Sequence, residues 1–411
     1  MDKRPEIYLF TDRYPYGSGE AFVGDELQSP ALNDIRLTVI PARTAPGRRE
    51  LPPDVRLCDL LCHAPVRRKI RALFSALFSA TLWSLPFRAR RPRNFRQWRN
   101  ALGGTYRIRL TQLTLHRHAA FFARADVFYS YWLDNTATGL CLAKKTIPAL
   151  ARTPIVSRAH GYDVFEQTRG IFFPERPFAL EHLTQVWSVS LTGQRHLQRT
   201  YPAYAEKISL AYLGTADPPA AAPHRLPDGA LRFASCANLI PLKRIGTILA
   251  YLKRYAAEHP DTTISWTHFG SGPLWKTLKK ETESPLPENL AVTLAGQTPH
   301  PDILRRYRED PFDIFLSLSQ SEGMPVSVVE AMACGIVPLC TDAGGTGEAV
   351  TPQTGVLLPL DPAYEDFAQG IDRIRAHFPE LSSAAIAHRQ ATFSSRTNYS
   401  AFYHYLRSLK A

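Results

Sequence analysis

The chain has 411 residues, of which 45% are hydrophobic and 21% are charged. The length predicts two or three domains and excludes a small disulfide-dependent scaffold, while the composition excludes intrinsic disorder. The formal net charge of +12 predicts a negatively charged partner, which leaves nucleic acid, anionic lipid and phosphorylated substrates open.

The first part of the chain alternates short β-branched runs with amphipathic stretches, which predicts strands and helices in turn. Its charged N-terminus leads into the first strand without the apolar stretch of a signal peptide, so we expect a cytoplasmic protein. Six scattered cysteines lack C-x-x-C pairs and zinc-type spacing, so disulfides and a structural metal are not expected. The predicted strands are Ile7–Thr11, Arg36–Ile40, Asp126–Ser130, Ile155–Arg158, Val186–Ser188 and Ile208–Tyr212, with helices such as Thr136–Ala149 and Leu191–Arg199 between them.

The positive charge is concentrated between Asp59 and Asp126, a segment with fourteen Arg and Lys residues and no acidic residue. Within it, Ala72–Phe87 is an uncharged apolar run of 16 residues, too short to span a bilayer. The pattern has two interpretations. It is either an in-plane anchor that binds an anionic membrane surface through residues 67–99, or an internal helix followed by a solvated basic loop. No nucleic-acid-binding signature accompanies the charge, so nucleic acid is not the expected partner.

A Pro/Ala-rich patch, Gly214–Gly229, precedes a second series of strands and helices. Two such series predict an α/β fold of two Rossmann-like, doubly wound parallel-sheet domains with a cleft between them and ligand sites at the carboxyl ends of the strands. We assign residues 1–214 to the first domain, with an insertion at about 60–125, residues 215–385 to the second, and 386–411 to a helix that returns to the first. The strands predicted in the second series are Leu231–Cys236, Thr263–Phe269, Leu290–Ala295, Ile314–Ser317, Val337–Cys340 and Gly355–Leu358, and the clearest helix is Lys243–His259.

The stretch Ser317–Val350 carries the most informative pattern. Glu322 lies in a glycine turn before a helix that Pro325 opens, and Glu330 lies within that helix eight positions later. Free backbone N–H groups at such a helix start suit an anion or a hydroxyl-rich ligand, and here they belong to the residues around Gly323, Met324 and Val326. A carboxylate at each end of this cradle can accept hydrogen bonds from two separate diols, and a nucleotide sugar offers two diols with a diphosphate between them.

This passage resembles the Glu-x(7)-Glu motif of the family-4 retaining glycosyltransferases, which have the GT-B fold. The resemblance implies that Glu322 contacts the donor sugar and Glu330 the ribose. It also implies that Lys243 neutralises the leaving diphosphate. Asn238 stands where the family usually has an arginine, so Arg244 or another residue is expected to supply the missing charge.

Three further segments follow the family's order. Gly270 and Gly272 end a strand and would permit close approach of a ligand, although Trp275 occupies the third position of a dinucleotide fingerprint, which excludes a nicotinamide dehydrogenase. Gly19 lies in a loop that resembles the family's N-terminal glycine loop. His160 begins a His-Gly-x-Asp segment that the resemblance places at the reacting sugar.

The resemblance therefore implies transfer of a sugar, with retention, from a nucleotide-diphosphate donor, UDP being favoured. The acceptor would be a cell-surface glycan or a polyprenyl-linked oligosaccharide at the inner face of the membrane. Because the sequence has no D-x-D triplet, we expect neither a metal nor a cofactor besides the donor. Two alternatives stay open: a nucleotide-sugar epimerase of the same fold, and a non-catalytic basic membrane-binding protein.

Overall fold

The computed structural model describes residues 4–17, 19–87, 91–217 and 229–409. Contacts between Cα atoms divide the chain into two compact units. Unit 1 comprises the described residues of Met1–Tyr212 and Arg396–Ala411, and unit 2 those of Leu213–Ser395.

Unit 1 is built on a sheet whose described strands are all parallel, in the order β3-β2-β1-β4-β5-β6-β7. Strand β1 is buried along its whole length, as expected of a central parallel strand covered on both faces. The strands are β1 (Glu6–Thr11), β2 (Arg36–Pro41), β3 (Arg56–Leu57), β4 (Val127–Ser130), β5 (Ile155–Ala159), β6 (Gln185–Ser188) and β7 (Ile208–Leu210). The helices before unit 2 are α1 (Ala21–Glu26), α2 (Val66–Leu77), α3 (Ala80–Ser84), α4 (Phe95–Arg117), α5 (Ala119–Phe122), α6 (Asn135–Thr146), α7 (Gly161–Val164), α8 (Glu166–Arg169), α9 (Arg176–His182) and α10 (Leu191–Thr200).

Unit 2 contains a second parallel sheet, with its described strands in the order β10-β9-β8-β11-β12-β13. Its core includes Phe233, Ile248 and Trp266. The strands are β8 (Ala230–Cys236), β9 (Thr263–Phe269), β10 (Leu290–Gly296), β11 (Ile314–Ser317), β12 (Val337–Thr341) and β13 (Val356–Leu358). The helices are α11 (Ile245–Glu258), α12 (Trp275–Glu283), α13 (His300–Glu309), α14 (Val326–Ala333), α15 (Thr346–Ala349), α16 (Tyr364–Ala376) and α17 (Phe378–Thr392).

The last helix, α18 (Ser395–Ser408), belongs to unit 1 from Arg396 onwards. Its Phe402 ring packs against Tyr129 of β4, with the centroids 5.0 Å apart. The return to unit 1 therefore begins ten residues later than the predicted 386, because α17 packs within unit 2, where Ser382 donates a hydrogen bond to the Gly335 carbonyl (2.7 Å). The chain leaves unit 1 after Tyr212 rather than after residue 214.

The structure contains every predicted strand, with ends within two residues of the prediction. The sequence analysis missed β3, a two-residue strand that begins with an exposed arginine, because so short an element has no detectable period.

The basic segment is more helical than either interpretation predicted. The apolar run Ala72–Phe87 is divided between α2, α3 and a 3₁₀ turn, Leu85–Phe87, and much of the Arg-rich stretch after it forms the 23-residue helix α4 rather than a solvated loop. Arg88 and Arg90 lie outside the described residues. Among the described helices, none combines the length and the apolar character that crossing a membrane requires.

A buried ion pair ties together the elements of unit 1 that carry its predicted site. Arg158 of β5 and Glu26 of α1 are both fully buried, with Nη2 and Oε2 3.9 Å apart. The hydroxyls of Tyr129 and Tyr403 donate to Glu26 Oε1 (3.1 and 3.0 Å), and the Arg158 guanidinium lies 4.1 Å from the Phe402 ring centroid. This network fixes β5 two residues before His160.

Candidate active site

In unit 2, the carboxyl ends of three neighbouring strands are joined by hydrogen bonds. Ser327, in the first turn of α14, donates to the carbonyl of Cys236 at the end of β8 (3.3 Å). The Gln320 N–H donates to the Leu242 carbonyl (2.9 Å). Thr341 Oγ1, at the end of β12, donates to the Ser319 carbonyl (2.6 Å). The sheet order therefore brings the loop after β8 beside the glutamate motif, where parallel α/β sheets bind ligands.

Lys243 and Glu322 meet at this edge of the sheet. Lys243 ends a 3₁₀ turn, Pro241–Lys243, and its Nζ forms an ion pair with Glu322 Oε1. Both side chains are largely but not fully buried (19% and 13% exposed). Two residues that sequence reasoning assigned to one ligand thus lie in direct contact across 79 positions of the chain.

Glu330 is paired with a residue that the sequence analysis missed. His300, the first residue of α13, places Nε2 2.7 Å from Glu330 Oε1. The Glu330 residue is buried, so the histidine restricts the carboxylate to one orientation. The local sequence, Pro299-His300-Pro301, matches no metal or catalytic motif and offered no signal for this contact.

The start of α14 lies between the two glutamates. Helix α14 begins at Val326, with Pro325 as the preceding residue and no side-chain cap. The N–H groups of Val328 and Val329 point back to the Pro325 carbonyl. The backbone N–H groups before these two, at the first positions of the helix, have no partner within the helix and favour an anion. Gly323 and Met324 are buried in the turn before it.

Gly270 and Gly272 serve the chain's own packing. Both have positive φ (139° and 158°), and a Cβ on Gly270 would lie 2.0 Å from the Ala237 carbonyl oxygen. A Cβ on Gly272 would approach Leu239 backbone atoms to within 2.7 Å. The close approach is therefore to the loop after β8, which the Leu239 N–H joins to the Ser271 carbonyl (3.0 Å). The glycines position the loop that carries Lys243.

Arg244 directly follows Lys243, and Asn238 lies five positions before it. The Arg244 backbone is left-handed (φ 50°), and its guanidinium donates to the Leu360 carbonyl (2.6 Å) and pairs with Asp361. Asn238 is exposed. The expectation that Arg244 replaces the family's arginine stays a prediction, and Lys243 is the cation that contacts a motif glutamate.

In unit 1, His160 follows the end of β5 and is buried among aromatic rings. Its ring centroid lies 4.5 Å from that of Trp132 and 4.9 Å from that of Tyr131. Burial, aided by the charge of Arg158, lowers the pKa of His160 well below its usual value, so the imidazole is neutral. Neither ring nitrogen has a hydrogen-bond partner within the part of the chain that the structure describes. Asp163 accepts a hydrogen bond from the His160 N–H, which locks the His-Gly-x-Asp turn.

The predicted glycine loop is held by Glu20, another residue that sequence reasoning did not single out. Its carboxylate accepts the N–H groups of Arg13 and Tyr14 (2.7 Å each) and the indole N–H of Trp132 (2.6 Å). Because the Trp132 ring packs at a tilt against the His160 ring, the loop and the histidine share one support. A Cβ on Gly19 would meet no atom within 4 Å, so no steric reason requires glycine there, and its neighbour Ser18 lies outside the described residues.

A cavity of about 660 Å³ in unit 1 contains none of the predicted site residues. It lies near the amino end of β1, and its lining includes Glu6, Arg56 and Arg68. This cavity therefore does not coincide with either candidate site.

The comparisons with known proteins agree with this architecture. Residues 219–382 match the family model described as "Glycosyl transferases group 1", which covers less than half of the chain. A search among curated proteins found no match. The two parallel-sheet units and the solved structures below define the GT-B fold.

Three of the similar solved structures cover almost the whole chain. Sucrose-phosphate synthase from Thermosynechococcus elongatus is 17% identical with a TM-score of 0.68, covering 99% of both chains. HepE of Anabaena, solved with UDP and glucose, is 15% identical with a TM-score of 0.64, covering 98% of this chain and 100% of its own. The lipopolysaccharide outer core galactosyltransferase WaaB is 13% identical with a TM-score of 0.65, covering 98% of this chain and 99% of its own. Together, the family match and the fold support a glycosyl transfer function.

Lowering the pH is expected to destabilise the protein in part through His160. The folded state holds a neutral imidazole, whereas the unfolded chain binds a proton below its pKa of about 6.5. The unfolded state thus binds more protons, and the free energy of unfolding falls as pH decreases below that value. When the pH falls from about 7.5 to about 5.5, the free energy of unfolding measured by urea denaturation should decrease less in His160→Gln than in wild type. The difference between the two decreases should be about 1.4 kcal/mol.

The exposed His404 of α18 provides the control. His404→Gln is expected to retain the wild-type pH dependence. If His160→Gln also retains it, the imidazole is not buried in the neutral form.

Proposed function

We propose that the protein is a metal-independent, retaining glycosyltransferase of the family-4 type. Its donor is a nucleotide-diphosphate sugar, with UDP favoured, and its acceptor is a cell-surface glycan or polyprenyl-linked oligosaccharide at the inner face of the membrane. The observation that carries the proposal is the pair of motif carboxylates on either side of the α14 N-terminus, one in contact with Lys243 and the other with His300.

The donor fits these groups by charge and hydrogen bonding. Its diphosphate takes the Lys243 ammonium and the N-terminus of α14, which are the cation and the dipole end that favour an anion. Lys243 then exchanges its ion pair with Glu322 for one with phosphate, and Glu322 accepts hydrogen bonds from the sugar hydroxyls. Glu330, oriented by His300, accepts the ribose diol.

The reaction breaks the bond between the anomeric carbon and the diphosphate oxygen, and the electron pair leaves with the diphosphate. The acceptor hydroxyl oxygen forms the new bond on the same face of an oxocarbenium-like sugar. Its proton passes to the leaving phosphate oxygen. Lys243 and the α14 N-terminus stabilise the charge that develops on the leaving group, which is the main catalytic contribution. The neutral His160 interacts with the reacting sugar and takes no covalent part.

The names of two similar proteins favour a particular class of donor and a particular class of acceptor. HepE was solved with UDP and with UDP-glucose, which favours UDP-sugars as the first donors. WaaB is named as a lipopolysaccharide outer core galactosyltransferase, which favours a cell-surface glycan as the acceptor.

A thermal-shift screen across UDP-, GDP-, ADP- and dTDP-sugars tests the donor. We expect one nucleotide series to raise the Tm of the full chain, and Lys243→Ala to reduce that rise. Donor incubated without acceptor should not be converted to an epimer, since epimerised donor would indicate the alternative enzyme. If none of the four series raises the Tm, the nucleotide-sugar site is not functional.

His300 is expected to act as a positioning residue for Glu330. His300→Leu removes the imidazole that is hydrogen-bonded to the Glu330 carboxylate. It should raise the KM for the donor by about tenfold or more, with a smaller change in kcat. The reason is that a hydrogen bond to a charged group contributes about 1.5–3 kcal/mol. His300→Gln, which keeps an N–H donor, should recover part of the loss. Steady-state kinetics distinguish this role from a structural one, in which Tm would fall and KM would not change.

A further inference from the structure

The exposed apolar side chains of this protein are concentrated in the basic segment of unit 1. Twelve large hydrophobic side chains are exposed among the described residues, and nine of them lie within residues 66–98. Phe95 and Phe78 are 81% and 78% exposed, and Trp83 is 68% exposed. Such concentration marks an interaction surface. The nine are Val66, Ile70, Leu73, Phe74, Leu77, Phe78, Trp83, Phe95 and Trp98.

Helix α2 has two faces of different character. Its small residues Ala72 and Ala76 are fully buried, and Ala72 packs in one cluster with Leu110 of α4. At about 100° per residue, the exposed apolar residues from Val66 to Leu77 fall within an arc of about 100°, whose centre lies about 130° around the helix from the two alanines. The helix therefore attaches to unit 1 through alanines and leaves its bulky apolar stripe uncovered within the described part of the chain.

Basic residues border this stripe on both sides. By the same helical geometry, Lys69 flanks one edge, and Arg67 and Arg71 flank the other; all three are exposed. No acidic residue occurs between Asp59 and Asp126. The stripe and its borders thus combine an apolar surface with positive charge and no negative charge.

The start of α4 repeats the same combination. Phe95 and Trp98 are exposed one turn apart, next to the exposed Arg96 and Arg99. Helices α2 and α4 run antiparallel, since Arg68 at the start of α2 contacts Thr114 and His118 at the end of α4. The C-terminal end of α2 therefore points toward the start of α4, where these aromatic residues lie.

We infer that this surface, made of α2, α3 and the first turn of α4, is an in-plane anchor for an anionic lipid bilayer. The apolar side chains enter the boundary between headgroups and acyl chains, and the flanking Arg and Lys residues contact lipid phosphates, as in interfacial amphipathic helices. The positive charge favours an anionic bilayer over a second copy of the chain, because a dimer formed through this face would bring like charges together. The inference does not depend on the proposed sugar transfer.

Cosedimentation of the full chain with vesicles tests the anchor. We expect binding to vesicles of phosphatidylcholine with phosphatidylglycerol, much weaker binding to phosphatidylcholine alone, and weakening by salt. The triple variant Phe74→Ser, Phe78→Ser, Trp83→Ser should bind at least about tenfold more weakly. Charge reversal of Arg67, Lys69 and Arg71 to Glu should weaken binding to the anionic vesicles to a similar degree.

Matched controls come from unit 2. Leu274→Ser with Leu360→Ser removes exposed apolar side chains, and reversal of Lys276, Lys279 and Lys280 to Glu changes exposed charges on α12. Both controls should bind vesicles like wild type. On binding, wild-type tryptophan emission should shift to shorter wavelength, and the shift should be smaller in Trp83→Phe.

Unchanged vesicle binding in both the triple serine variant and the charge-reversal variant would overturn the proposal. So would a stable dimer in solution that the aromatic variant converts to monomers, together with absent vesicle binding, since the face would then belong to a second copy. Donor-induced thermal shifts should be equal in wild type and in both of these variants. A failure of the anchor is therefore distinguishable from a failure of the proposed transferase.

Discussion

Replacing Glu330 with alanine is expected to lower kcat/KM for sugar transfer by at least about a hundredfold while the protein stays folded. The variant removes the carboxylate that we assign to the ribose diol, and two hydrogen bonds to a charged group together contribute about 3 kcal/mol or more. It also leaves His300 without its partner in this pair, so donor positioning is lost together with the contact. The measurement is the initial rate of product formation over a range of donor concentrations.

The control for this variant is Glu288→Ala, which removes an exposed glutamate before β10 in the same unit. It should keep wild-type kinetics. Glu322→Ala should reduce transfer as well, and the Tm of each variant, measured without donor, should lie close to wild type. Unchanged turnover in Glu330→Ala would remove the assignment of the motif and, with it, the proposed reaction.

Replacing Glu26 with alanine is expected to lower the free energy of unfolding by about 3–5 kcal/mol, because it leaves a buried arginine without its counter-charge. Arg158 and Glu26 are both fully buried, and the Arg158 guanidinium has no hydrogen-bond partner among the described residues. The Tyr129 and Tyr403 hydroxyls would also lose their acceptor. Urea denaturation followed by circular dichroism measures the loss.

The double variant Glu26→Ala, Arg158→Met tests the cause. Removing the second charge should recover part of the stability that the single variant loses, since a buried pair contributes little over apolar side chains of similar size. Asp34→Ala, which breaks the exposed ion pair with Arg407, should change stability little. A double variant as unstable as Glu26→Ala would show that packing, and not an unpaired charge, causes the loss.

Much of the fold was predictable from short-range patterns in the sequence. The strand Ile314–Ser317 is an apolar run and Thr263–Phe269 is rich in β-branched and aromatic residues, and both are bounded by turn residues. Helix α11 shows its buried stripe directly in the spacing of Ile245, Ile248 and Leu252. A parallel sheet buries whole strands, so these runs stand out without knowledge of their neighbours. The glutamate motif is equally local, since Glu322 and Glu330 are eight residues apart on one turn and helix.

The sequence by itself thus determined the two parallel-sheet units and the positions of the motif residues, because period and turn chemistry act over a few residues. Only the tertiary structure decided which side chains meet. It joined Lys243 to Glu322 and His300 to Glu330, directed Arg244 to Asp361, and turned Gly270 toward its own chain. It also decided that the α2 stripe is exposed, since an amphipathic helix looks the same in sequence whichever of its faces the protein covers. Such contacts depend on strand order and on packing between distant segments, which no local pattern encodes.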